Sequence, residues 1–392
     1  MNRKQLTLLL VVGAILGGLG WVAYQKRSAP YKESVQKMGG KLLPNFPLND
    51  VEQIVVKQGG ADVTMAKKDD IWVVKNRGDY PANFDTISDV LRKFWELKVA
   101  KPVKTGPSRL PMLELVAPDK GAGTLVEFKD KSGKTINSVL LGAKSMKQGG
   151  GDPQFGGGPM PDGRYVMVGS DVQTVSLVTE PFANVEAKPE EWLDKKEWFK
   201  VEKLKSVSVT AASPTNSWKL SRESETGEWK LADAKPGELL DNGKSGSASS
   251  ALSYPSFADV ATNVSAEATG MDKAIVARLE TFDGFLFTAK VGGKAGEENQ
   301  YFQIAMSGEF PKERTPGKDE KPEDKDKLDR EFKDGLSKLQ DRLKAYKAHE
   351  KWTFIVTKWT VDAFLKERRD LLADKKEEPA GEAKLDAKPP LK

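Results

Sequence analysis

The chain has 392 residues, with 62 Lys and Arg against 57 Asp and Glu, for a formal net charge of +5. Both signs are scattered along its length, the pattern of a solvated surface and not of a nucleic-acid footprint, so no nucleic-acid partner is expected. It contains no cysteine and one histidine, which excludes disulfides, thiolate chemistry and a lipidated N-terminal Cys, and leaves a zinc or other transition-metal site almost no ligand supply.

The chain opens with Arg3 and Lys4, after which Leu6 to Tyr24 carry no charge. A run of about twenty residues matches a hydrocarbon core of roughly 30 Å at 1.5 Å per residue, so it predicts a single transmembrane helix. Trp21 and Tyr24 lie where an interfacial aromatic belt belongs, and Lys26-Arg27 closes the segment. No small-x-small cleavage site follows Trp21, which favours a retained signal-anchor over a cleaved leader. Residues 1–27 are therefore read as the membrane anchor, with the N-terminus inside and the C-terminal region outside. Gly13 and Gly17 give a small-xxx-small spacing that permits close approach of a second helix.

Residues 28–50, polar and punctuated by Gly39-Gly40, Pro44 and Pro47, read as a stalk. Strand-like runs follow: Val51 to Lys57, Asp62 to Ala66 after Gly59-Gly60, and Ile71 to Val74 after Asp69-Asp70. Ile87, Val90, Leu91 and Phe94 recur at helical spacing, with Asn83 or Asp85 as the cap. Thr124 to Lys129 and Thr135 to Leu141 flank Asp130-Lys131-Ser132-Gly133-Lys134, which predicts a hairpin. Arg164 to Val168 reads as a further strand, and Pro189 to Leu193 as a short helix.

The same order then returns. Val207 to Thr210, Trp218 to Leu220 and Trp229 to Leu231 answer the opening strands, and Leu239 to Leu252 takes the helix slot. Arg278 to Phe282 and Phe285 to Val291 answer the hairpin, with Gly292 matching Gly142. Trp352 to Val356 is matched to the strand at Arg164, and Val361 to Leu371 to the closing helix. Corresponding positions lie roughly 150 residues apart, the spacing of a repeated domain. The expected class is α+β, with two tandem, mainly antiparallel sheet-plus-helix modules at 51–200 and 201–372. A charged helical insertion occupies 309–350 of the second, and 373–392 form a disordered tail rich in Lys, Glu, Ala and Pro.

The order of Ile71-Trp72-Val73, the helix, Phe128 to Lys134, Leu141-Gly142 and Arg164-Tyr165-Val166 resembles a bacterial domain-of-unknown-function family of membrane-anchored proteins. Its members are often encoded beside gliding-motility-type ABC transporter auxiliary proteins. The resemblance spans roughly Val51 to Leu372 and implies an accessory role at the bacterial inner membrane. It brings no catalytic residues with it, and this chain departs from the family in its Gly-rich loop and its charged insertion.

Segments that invite chemistry read more plainly. Gly149 to Pro159 lacks the order of a phosphate-binding loop and is read as a connection between strands, with Phe155 and Met160 as candidate contacts to a peptide or glycan. Gly243-Lys244-Ser245 would end a P-loop, but Glu238 stands where the first glycine belongs. His349 ends a Lys- and Glu-rich stretch with no nucleophile elbow in the chain, so it is read as an exposed spacer. The acids from Asp319 to Asp329 are interleaved with lysines and lack the order of a calcium loop. Within the insertion, Leu328, Phe332, Leu336, Leu339, Leu343 and Tyr346 form one apolar stripe on a helix, the sharpest candidate for binding a partner.

The expected function is a non-catalytic, anchored accessory protein without cofactor or metal, meeting the lipid bilayer through Leu6 to Tyr24 and a protein or envelope partner through its soluble part. Two alternatives stand beside it: a small-molecule or lipid-binding envelope module, and a carboxylate-dependent glycan hydrolase with two acids across a cleft.

Overall fold

The computed structural model describes residues 35–147, 159–196, 198–211, 213–317 and 320–374. The anchor at 1–27, Phe155 and the tail beyond residue 374 lie outside the described residues. None of the helices described is long and apolar enough to cross a membrane. The chain divides into two compact units, 1–194 and 195–392, so the boundary falls six residues before the expected one.

The first unit is built on β1 (Gln53–Gln58), β2 (Ala61–Lys68), β3 (Ile71–Val74), β4 (Tyr80–Pro81), α1 (Phe84–Glu96), β5 (Val99–Pro102), β6 (Thr124–Lys129), β7 (Thr135–Lys147), β8 (Met160–Val168) and β9 (Ser176–Val178). Its nine strands form one sheet in the order β4-β3-β2-β1-β6-β7-β8-β9-β5, and every neighbouring pair is antiparallel. Asn83 caps α1, its side-chain oxygen accepting from Thr86 N at 3.1 Å, and Ile87, Val90 and Phe94 are the buried face. Phe94 sits between Phe128 of β6, at 5.0 Å in an edge contact, and Phe182, stacked at 4.5 Å. The β6–β7 turn closes on Asp130, whose carboxylate accepts from the backbone of Ser132 (2.9 Å) and Lys134 (3.0 Å), while Gly133 takes φ +82°.

The expected stalk is not a free spacer throughout. Leu42, Leu43 and Phe46 are buried, Phe46 meeting Phe128 at 4.9 Å, because an apolar triplet this close to a sheet is more stable inside than in water. On the opposite face of the sheet Leu115, Leu140, Met167 and Val175 make a small second core, with Leu110 and Leu113 of the long β5–β6 connection packed against it.

The second unit runs β10 (Leu204–Thr210), β11 (Trp218–Ser221), β12 (Lys230–Leu231), α2 (Gly246–Ser249), β13 (Asp259–Ala261), α3 (Ala266–Thr269), β14 (Ile275–Thr281), β15 (Phe285–Lys294), β16 (Asn299–Gly308), α4 (Lys325–Lys347), β17 (Thr353–Thr357) and α5 (Lys358–Leu365). Its sheet order is β12-β11-β10-β14-β15-β16-β17-β13. Dropping β4 from the first sheet leaves the same eight-strand permutation. Its core is aromatic: the Trp198 ring lies 4.9 Å from Phe354, 5.0 Å from Phe257 and 6.0 Å from Phe302.

The correspondence refines the sequence matching. Asn299–Gly308 was not expected as a strand, yet it is β16 and answers β8; Thr353–Thr357, matched above to Arg164, answers β9 instead. The charged insertion therefore lengthens the connection that joins β8 to β9 in the first unit. The expected helix at 239–252 shrinks to α2, since Gly and Ser are poor helix formers. The closing helix begins earlier, at Lys358, and ends at Leu365, with Arg368–Leu371 forming a separate 3-10 turn.

One detail repeats at atomic level. In β7 the register slips between Leu141 and Lys144 opposite β8, and in β15 it slips between Val291 and Lys294 opposite β16. Gly142 and Gly292 occupy these bulges. A Cβ on Gly142 would lie 2.2 Å from Leu113 O, and one on Gly292 would lie 2.4 Å from Thr269 O, so only glycine fits. A buried polar side chain caps each bulge: Arg164 Nε donates to Gly142 O at 2.8 Å. The Gln300 amide, turned so that both its atoms are satisfied, donates to Gly292 O at 3.2 Å and Gly293 O at 3.1 Å.

Candidate functional site

The helical arm α4 carries the apolar stripe read from the sequence. Its 23 residues span about 34 Å at 1.5 Å per residue. The two ends are fastened differently from the middle. At the N-terminal end Arg314 holds the arm through Asp329 (2.7 Å) and through a two-pronged pair with Glu320, and those carboxylates raise the guanidinium pKa above its ordinary value. At the C-terminal end Arg342 bonds Asp283 at 2.7 Å and lies 4.2 Å from the centre of the Phe285 ring. Tyr346 is buried beside Phe199, Phe285 and Phe287.

Between these ends Leu328, Phe332, Leu336, Leu339 and Leu343 are only half-buried. The arm packs on β16, with Tyr346 buried and the other five stripe residues each keeping a minor part of their surface in water. His349, expected as an exposed spacer, is half-buried, with its ring 6.3 Å from Phe354.

Met160 opens β8 in the other unit, opposite Lys147 at the far end of the long β7–β8 hairpin. It is 66% exposed, and its diagonal neighbour Met146 is 53% exposed. The Gly-rich connection that contains Phe155 is not described, so Met160 stands as the reachable half of that pair. The arm and the hairpin belong to different units.

Sequence reading missed the clefts. In the first unit a groove of about 580 Å³ runs between Leu110, Pro111 and Leu115 of the β5–β6 connection and Leu125, Leu140 and Met167 of the sheet. In the second unit a cleft of about 370 Å³ lies between the 245–256 loop and the first turns of α5, lined by Ser247, Tyr254, Trp359 and Asp362 among others. Tyr254 also borders a neighbouring cleft of about 320 Å³ that holds Lys200, Lys203 and Arg222. Among the described residues no group of three or more His, Asp or Glu is placed to hold a metal ion.

The model of one protein family, described as a domain of unknown function (DUF4340), matches residues 72–274, from β3 of the first unit through the helix slot and β13 of the second. No curated protein and no solved structure matches the chain. The family match covers just over half of the 392 residues and runs across the unit boundary: this chain is a member of the DUF4340 family.

Proposed function

We propose that this chain is a non-catalytic accessory protein, held at the bacterial inner membrane by residues 6–24 with the remainder extracytoplasmic, and that it binds a protein partner of an ABC-type transport or gliding-type assembly. The charge-free apolar run supports the membrane placement. The observation that carries partner binding is α4: a 23-residue helix pinned by Arg314 and Arg342 toward its ends, with Leu328, Phe332, Leu336 and Leu339 half-buried along its stripe. A helix stripe of this kind is what a partner helix or groove covers. The partner class itself comes from the family resemblance.

The two sheets further support an internal duplication, a single module present twice, through their shared strand permutation and the paired bulge glycines with their polar caps. Expressing 35–194 and 195–374 separately tests this: each should unfold cooperatively, and a pair that folds only when joined would count against it.

Co-purification from mild detergent extracts tests the function. The intact chain should bring a partner with it, and the double variant Leu336→Asp, Leu339→Asp should lose that partner while keeping its melting temperature within a few degrees. Recovery of the lone chain under several mild conditions would count heavily against the reading. Removal of residues 1–27 should move the chain into the soluble fraction; persistence in membranes would remove the anchor.

A further inference from the structure

We propose that the cleft between the 245–256 loop and α5 binds a saccharide. Its two large rings are among the most solvent-open side chains of the second unit: Tyr254 is 83% exposed and Trp359 is 73% exposed. In α5 Thr360, Val361, Ala363 and Phe364 are buried, whereas Trp359, in its first turn, stays in solvent. Tyr254 is followed by Pro255 and preceded by the Ser-, Gly- and Ala-rich stretch 245–251.

Between the rings the lining is hydroxyl-rich. Ser247, Ser250, Ser253 and Thr360 all border the cleft, together with the Asp362 carboxylate. A pyranose ring offers one face of C–H bonds, which stacks on an aromatic ring, and a rim of hydroxyls that donate to a carboxylate and exchange hydrogen bonds with serine. The volume, about 370 Å³, falls at the small end of the range of about 300–1,000 Å³ used by small-molecule sites.

Charge argues against the nearest rival, an anionic ligand. The bases of the adjoining cleft are already engaged: Lys200 with Glu202 at 2.5 Å, Lys203 with Glu225 at 3.7 Å, and Arg222 through Leu204 O at 2.8 Å. Asp362 would repel an acid. Tyr254 borders both clefts, so a chain of two or more sugars has a path across its ring from one to the other. This inference stands apart from the anchored-accessory reading, since no residue of the α4 stripe lines the cleft.

Saturation-transfer NMR on the full chain in a detergent without a sugar head group tests it. The probes are chitotetraose, maltotetraose and cellotetraose, with a proline-rich peptide as competitor. Transfer to the sugar C–H protons is expected for at least one probe. Tyr254→Ala and Trp359→Ala should each weaken it tenfold or more, Asp362→Asn should weaken it less, and Trp95→Ala in the other unit should leave it unchanged. Both ring residues are exposed, so far-UV spectra and melting temperatures should stay as in the parent. Absence of transfer to all three sugars, transfer that survives both ring substitutions, or capture of the peptide alone would overturn the assignment.

Discussion

The two units share a strand order and differ in what covers the sheet. In the first, a capped helix of 13 residues, α1, follows the opening strands and buries Ile87, Val90 and Phe94. In the second, the corresponding point begins the same way: Asp241 accepts from Gly243 N at 2.8 Å and Lys244 N at 2.9 Å, as Asn83 accepts from Thr86 N. Backbone pairing agrees, since Ala82 bridges to Leu193 and Leu240 to Leu372. Beyond the cap, however, the chain reads Ser-Gly-Ser-Ala-Ser-Ser, and only Gly246–Ser249 is helical. Cover comes instead from α5 after the last paired strand, with Val361 and Phe364 buried. In the first unit the matching stretch has no helix and contributes Phe182, buried at φ +48° against Phe94. One sheet can therefore be closed from either of two connections, and closing it from the later one frees the earlier to shape a cleft.

The largest effects should come from removing the covering side chains. Phe94→Ala should cost the first unit about 3–5 kcal/mol, and Phe364→Ala should cost the second a similar amount. Hydrogen exchange read separately over peptides of each unit would show the loss. If Phe364→Ala leaves protection of β14 and β16 unchanged, α5 does not have the role of α1 and the comparison breaks.

The bulge glycines come next. Gly142→Ala and Gly292→Ala each place a methyl group within 2.4 Å of a carbonyl oxygen, so both should destabilise by about 1–3 kcal/mol as overpacked positions do. Gly293→Ala, with no atom nearer than 3.5 Å to its added carbon, should stay within about 0.5 kcal/mol of the parent. Urea denaturation measures all three. Equal losses at 142 and 292 with none at 293 would sharpen the correspondence to a single residue.

These paired glycines were legible in the sequence because each follows an apolar run, Thr135 to Leu141 or Phe285 to Val291, whose preceding turn was also recognisable, although both strands continue beyond them. The helix α1 and its Asn83 cap were legible for the same reason, a local pattern with a local cause. The matching failed over β16, although Gln300, Phe302, Ile304 and Met306 alternate inward, since the insertion after it drew the alignment to the next strand. Strands as short as Ser176–Val178 and Asp259–Ala261 show at most two residues to either face, too few for periodicity to register. The stripe on α4 was readable, but how far it is covered depends on β16 and the arginine clamps, which are remote in sequence. The Tyr254–Trp359 cleft left no signal of its own: its rings lie far apart along the chain and only the fold brings them together.

The polar caps offer a finer test. Arg164 reaches only neutral acceptors among its hydrogen bonds, Gly142 O, Pro181 O, Phe182 O and Thr124 Oγ1, and burial lowers its pKa from the ordinary value. Arg164→Leu should cost about 1–3 kcal/mol by orphaning buried carbonyls. Arg164→Gln should cost less, because Gln300 meets the same need in the other unit. Thermal unfolding ranks the pair, and a glutamine no better than leucine would mean that the two caps are unrelated.

The smallest effect is electrostatic and should divide the units by pH. In each, the loop after the third strand is tied to the closing 3-10 turn, with opposite polarity. The first unit pairs Arg77 with Glu190 at a loose 3.7 Å. The second pairs the buried Arg368 with Asp233 at 3.0 Å and Glu238 at 2.7 Å. The Arg368 guanidinium, aided by the Lys235 backbone N–H, holds the Glu238 carboxyl at about 2, below its ordinary 4.5. A carboxylate with a depressed folded-state pKa stabilises the fold fully above its unfolded value, and the contribution drains away as pH falls from about 4.5 toward 2. The second unit should therefore lose stability across that window more steeply than the parent carrying Glu238→Gln, whose acid limb should be flatter. Melting followed between pH 2 and 5 in the two proteins decides it: parallel acid limbs would mean that Glu238 gains as much from its surroundings unfolded as folded, and that the clamp on Arg368 contributes position and no pH dependence.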